Sequence, residues 1–166
     1  STPGRHVAAT LEALRPLLLS GVKMTLPVGK HGSRLYHVIR RFTDTLPPTT
    51  LEVVGWTRRI PEFLRTHDVV ICKAGGAILH EVLAAQIPAV IDYVVPGQEE
   101  GNAEMLTSRA CGIRTSTPAE TAAAVTSVLI NDGAAGRRMR ANMTPLSVPD
   151  AAIKTAQAAL KVAARA

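Results

Sequence analysis

Aromatic residues are scarce: one tryptophan, two tyrosines and two phenylalanines among 166 residues, 3% of the chain. The core must therefore be built mostly from alanine, valine and leucine, and the arginines lack the interleaved aromatics on which proteins stack single-stranded bases. Nucleic acid is accordingly not expected as a partner. Cysteine is rarer still. Cys72 and Cys111 give no disulfide framework, suit a reducing compartment and lack the close pairing of a zinc site. The five histidines show no metal-ligand spacing and no Asp-x-Asp pair occurs, so no metal is expected. No apolar run approaches the roughly 20 residues that span a bilayer, and the first residues do not read as a signal peptide. A cytoplasmic location follows as the expectation. Repeats, low-complexity tracts and long linkers are missing as well, which points to one domain with a real core.

What the chain does have is positive charge, a formal net of +6. Arg34, Arg40, Arg41, Arg58, Arg59 and Arg65 are scattered through the first half, and Arg137, Arg138 and Arg140 follow later. That balance admits a phosphorylated small molecule or an anionic membrane surface as partner. Each Lys or Arg held near acidic lipid contributes about 1 kcal/mol, so peripheral association with the inner face of the cell membrane is expected beside the plainer reading of a solvated cationic surface.

Strands alternate with helices. His6 to Leu19 has helical spacing, with Pro16 expected to kink it or end its regular bonding. Val22 to Val28 reads as a strand, Ser33 as the cap of a helix reaching about Phe42, and Leu51 to Val54 as a second strand. Pro61 suits the first turn of a short helix carrying Phe63 and Leu64 inward. Further helices are expected at Ala103 to Ser108, Pro118 to Leu129, Gly133 to Asn142 and Ala151 to Ala163. This alternation means an α/β fold, a Rossmann-like parallel sheet flanked by helices.

The most informative stretch is Asp68 to Gly112. Asp68 to Cys72 is a β-branched strand, Gly75-Gly76 breaks it, and Ile78, Leu79, Val82 and Leu83 recur at helical spacing. Paired glycines without Cβ atoms let an anion approach main-chain N–H groups at the positive end of a helix. Glu81 lies about one turn further in, where a carboxylate could hold vicinal hydroxyls. The chain resumes as a buried strand from Pro88 to Val95 and ends in Pro96-Gly97-Gln98-Glu99-Glu100-Gly101-Asn102, at the strand end where open α/β sheets bind ligands. A purely structural glycine turn and a solvated Glu81 are the alternatives. His80 adjoins Glu81 but sits roughly 100° around the helix from it, so no His–Glu acid-base pair is expected.

From Lys73 to Asn102 this ordered set, KAG followed by Glu81 and then GQE-x-GN, resembles the donor-binding half of glycosyltransferase family 28, and within it the monogalactosyldiacylglycerol synthases and diacylglycerol glycosyltransferases. The likeness is specific over residues 51 to 115. It implies the C-terminal half of a GT-B enzyme that transfers a hexose from a UDP-sugar, with inversion, to a lipid such as diacylglycerol. The UDP-sugar is then a substrate and no cofactor is implied. By the same resemblance Gly75, Gly76 and Ala77 present N–H groups to the diphosphate, Glu81 holds the ribose, and Gln98 and Glu99 meet hydroxyls of the transferred sugar. Asn102 either helps there or caps the next helix, and Glu100, outside the motif, is expected to be solvated. Trp56 would flank the uracil and Thr57 read its edge, against the alternative of a plain core or rim tryptophan. Lys30, in Gly29-Lys30-His31-Gly32, is a further phosphate candidate.

Ser1-Thr2-Pro3-Gly4 reads as a loop entering a helix with no strand ahead of it. The expectation is therefore a fragment lacking its first strand and an N-terminal acceptor-binding domain. That domain would carry the general base, so the chain alone would bind donor yet turn over poorly. The absent strand should leave the middle of the sheet open. A lipid II synthase or 2-epimerase type of UDP-N-acetylglucosamine enzyme, and a non-catalytic nucleotide-binding module, are the competing readings.

Overall fold

A computed structural model describes residues 4–30 and 32–164. Three layers build it, with helices on both faces of parallel strands. In chain order the elements are α1 (Gly4–Leu19), β1 (Met24–Gly29), α2 (Gly32–Thr43), β2 (Leu51–Gly55), α3 (Ile60–Thr66), β3 (Val70–Lys73), α4 (Gly76–Ala85), β4 (Ala89–Tyr93), α5 (Glu100–Thr107), β5 (Gly112–Arg114), α6 (Pro118–Met143) and α7 (Ala151–Ala163). Helix α1 continues past Pro16 to Leu19. Helix α2 starts at Gly32, ahead of Ser33; the Ser33 side chain, like Ser1 to Pro3 and His31, lies outside the described residues. Helix α5 begins at Glu100, three residues earlier than its apolar spacing suggests. The two helices expected between Pro118 and Asn142 form one run, broken at Ile130–Gly133, where Asn131, Asp132 and Gly133 take left-handed backbone angles. That break falls between the two expected helices, because Asn, Asp and Gly tolerate positive φ where larger residues do not.

The strands pair in two sheets, β1-β2 and β3-β4-β5, and every pair is parallel. Among the described residues no ladder joins β1 to β3, which leaves an opening between the two sheets. Side chains bridge the opening: Thr25 Oγ1 lies 2.9 Å from His67 Nε2, and Met24 packs in one cluster with Val69 and Ile71. The two-residue alternation of β4 divides the core. Ala89 and Ile91 face Leu79, Val82, Leu83 and Leu106 of α4 and α5. Val90 points the other way, onto Leu14, Ala124 and Val125 of α1 and α6. A third cluster, Leu11, Leu18, Ile39, Phe42 and Leu51, joins α1 and α2 to the β1-β2 sheet. Helix α7 buries none of its residues, and no described helix is long and apolar enough to cross a membrane.

Candidate functional site

Parallel pairing puts the carboxyl ends of paired strands side by side, and in open α/β sheets that edge is where ligands are held. Gly55 leads into Trp56, while Lys73 leads into the Gly75-Gly76 turn and Tyr93 into the Gln98 loop. The Ala74 N–H donates to the Tyr93 carbonyl at 3.0 Å, pinning the turn to the end of β4. Asn102 Nδ2 donates to the Ala74 carbonyl at 3.0 Å. Asn102 thus sits inside α5 and ties that helix to the turn, leaving the N-cap position to Glu99.

Gly75 is the N-cap of α4, with ordinary extended angles (φ −70, ψ 137). Its lack of a Cβ matters for space: a Cβ there would lie 2.5 Å from Lys73 Nζ. At Gly76 the nearest atom to such a Cβ is Asn102 Nδ2, 3.8 Å away, so that position borders open space. The first N–H to close a helical turn is that of Leu79, onto the Gly75 carbonyl at 3.1 Å. The N–H groups of Gly76, Ala77 and Ile78 precede it and project from the positive end of α4, the arrangement that receives anions. Glu81 is exposed, one turn beyond Ala77 on the same helix face. His80 Nδ1 lies 2.7 Å from the Gly76 carbonyl, one stripe away.

In the 96–102 loop, Gln98 is exposed, whereas Glu99 is turned inward and only 8% exposed. Lys73 Nζ forms an ion pair with Glu99 Oε1, and Glu99 Oε2 accepts the Val95 N–H at 3.1 Å. The lysine, aided by the Val95 amide, holds the Glu99 carboxyl below the usual carboxylate range against the opposing effect of burial. Glu100 is exposed, but its carboxylate accepts the Gly97 N–H at 2.9 Å, which lowers its pKa and shapes the turn at Gly97 (φ +76). Glu100 is thus solvated as its place outside the motif implies, and loop closure also gives its carboxylate a partner three residues back.

Trp56 is 61% exposed, with the Arg58 guanidinium 5.8 Å from its ring centroid. It is a rim residue, not a core one. Thr57 Oγ1 accepts the Arg59 N–H at 3.0 Å and orders the turn into α3. Lys30 is exposed after Gly29 (φ +58).

Sequence reasoning missed two long-range pairs. Lys73 belonged to the recognised motif, but its bond to Glu99 spans 26 residues. His6 Nε2 lies 2.8 Å from Asp92 Oδ2 across 86 residues, joining the start of α1 to β4. Burial pushes the Asp92 carboxyl up, and the His6 contact offsets only part of that. Cys72 lies on the neighbouring strand, its thiol pushed up to about 12 by burial and then by the Asp92 charge; it behaves as a small apolar residue. Two voids lie away from the turn: one of about 340 Å³ beside Asp68, Arg137 and Arg140 at the opposite sheet edge, and an apolar one of about 420 Å³ between α2 and Val53.

No family model matches the chain. Among curated proteins it is similar to chloroplastic monogalactosyldiacylglycerol synthase 3 of Arabidopsis thaliana, 30% identical over 101 residues, which is 61% of this chain and 22% of that protein. It is also similar to the processive diacylglycerol beta-glucosyltransferase of Bacillus subtilis, 35% identical over 96 residues, covering 58% of this chain and 25% of the relative. The chain thus matches about a quarter of the length of these relatives. Among solved structures, Acinetobacter baumannii MurG superposes with a TM-score of 0.71 at 17% identity, over 93% of this chain and 46% of that one. The spinosyn rhamnosyltransferase SpnG complexed with thymidine diphosphate gives 0.64 at 20% identity, over 91% and 40%. At such identities these likenesses establish the fold, that of GT-B glycosyltransferases.

Proposed function

We propose that this chain, a homologue of the monogalactosyldiacylglycerol synthases and diacylglycerol beta-glucosyltransferases of glycosyltransferase family 28 with the fold of GT-B enzymes, binds the UDP-hexose donor for transfer to a diacylglycerol-type lipid. The observation that carries this reading is the start of α4. Its N–H groups at Gly76, Ala77 and Ile78 border open space, beside exposed Glu81 and on the strand-end side that also bears Gln98. The diphosphate would lie on those amides, the ribose on Glu81, the uracil between Trp56 and Thr57, and the hexose against Gln98 and Glu99. Amides and a helix dipole already in place stabilise the charge that grows on departing UDP, which is the kind of interaction that accelerates transfer when it strengthens toward the transition state. Inversion at the sugar carbon requires the acceptor hydroxyl to enter from the face opposite UDP. We assign the acceptor site and the general base to the part of the relatives' length that this chain does not match, since the matches cover 22% and 25% of them. The exposed arginines of α2, Arg40 and Arg41, suit a surface resting on acidic lipid.

Calorimetric titration with UDP tests the proposal. Saturable binding, with UDP preferred over other nucleoside diphosphates, is expected; no heat at millimolar UDP would leave a structural or interaction module. Assay of a form carrying the acceptor-binding region, with diacylglycerol and a panel of UDP-sugars, then separates lipid glycosylation from the chemistry of a UDP-N-acetylglucosamine epimerase.

A further inference from the structure

We infer that Lys73 is a positioning residue: its ammonium, lodged where a Cβ at residue 75 would be, holds the Glu99 carboxylate in place for the hydroxyls of the donor sugar. This rests on the donor reading above and adds to it a residue and a mechanism.

The geometry is specific. Strand β3 ends on Lys73, and its side chain folds back beneath the turn that follows, so that a Cβ at Gly75 would lie 2.5 Å from Nζ, 3.3 Å from Cε and 3.6 Å from Glu99 Oε1. The ion pair therefore lies directly against the turn that precedes the free amides of α4. Glu99 is fixed at both oxygens, Oε1 by Lys73 and Oε2 by the Val95 N–H. Each oxygen keeps a second lone pair, so the clamped carboxylate can still accept from a hydroxyl. Charge supplies the second part of the argument. A carboxylate close to a diphosphate repels it, and the repulsion grows as water is excluded. A lysine paired to that carboxylate cancels the repulsion and lets acid and diphosphate share one small site. Gly75 is then required by the lysine's path, since its backbone angles suit any residue.

The test measures affinities of the chain for UDP, UDP-glucose and UDP-galactose by calorimetry, with thermal melts to confirm folding. In the parent, at least one UDP-hexose should bind more tightly than UDP. Lys73→Met should remove that increment, about tenfold for one lost charge-assisted hydrogen bond, while UDP affinity stays within about twofold. Lys73→Arg, which keeps the cation, should restore most of the increment. Lys73→Leu, which removes the ammonium with a differently shaped apolar side chain, should reproduce the selective loss, and it serves if the methionine variant does not fold. Equal losses for UDP and UDP-hexose would make Lys73 a diphosphate contact and overturn the inference. So would unchanged affinities in both variants, or a parent that binds UDP-hexose no better than UDP. A parent that binds no UDP sinks the donor reading itself, and the inference with it.

Discussion

Valine at position 76 separates binding from folding. Gly76 opens α4, its φ is not in the left-handed region, and an added Cβ meets nothing nearer than Asn102 Nδ2 at 3.8 Å. The fold can therefore accept the larger side chain. Helix propensity favours valine over glycine by a few tenths of a kcal/mol, and an exposed substitution of this kind shifts stability by about 0.5 kcal/mol or less. An anion seated on the amides of Gly76 and Ala77 cannot ignore two new methyl groups beside its donors. Losing two hydrogen bonds to a charged group at about 1.5 to 3 kcal/mol each removes at least about 3 kcal/mol, a hundredfold or more in dissociation constant. Calorimetry with UDP, beside thermal unfolding of Gly76→Val and the parent, measures both quantities. A folded variant that binds UDP within threefold of the parent would refute the placement of the diphosphate. Parallel loss of folding and binding would reduce the glycine to a structural role.

Glu81→Ala should weaken UDP by about 1.5 to 3 kcal/mol, the scale of a charged hydrogen bond, and an unchanged titration would remove Glu81 from the site. Trp56→Ala should leave the melting temperature nearly unaltered, because the indole is 61% exposed, yet cost UDP about 1 to 3 kcal/mol if a base stacks there; loss of stability without loss of affinity would make it a packing residue. Asp92→Asn tests the buried carboxyl beside His6. Its folded pKa is raised, so its contribution to stability is fully present below the unfolded aspartate value and is lost as pH rises through the folded value. Urea unfolding should thus show Asp92→Asn gaining on the parent between acid and neutral pH, and a stability difference that does not change with pH would contradict the raised value.

The local grammar of the chain is legible because it depends on near neighbours. Apolar residues at helical spacing mark α4, glycines mark its start, and Asn131 to Gly133 mark the break in α6, each through backbone sterics acting within a few residues. Alternating strands and helices likewise dictate the parallel pairing seen in both sheets. The ordered motif from Lys73 to Asn102 carried the candidate donor site and the family likeness, since motif spacing is itself a property of sequence. Tertiary packing decided what spacing does not encode. Whether Glu99 faces solvent or Lys73 depends on how a loop after β4 meets a turn after β3, an ion pair across 26 residues. The His6–Asp92 contact spans 86 residues and fixes the start of α1 against β4. Trp56 became a rim residue, and Asn102 a tie to the turn, only when strand ends and helix starts met in space. Long-range electrostatics and burial are set by such meetings, because a side chain's partner is chosen by the fold around it and not by its neighbours in the chain.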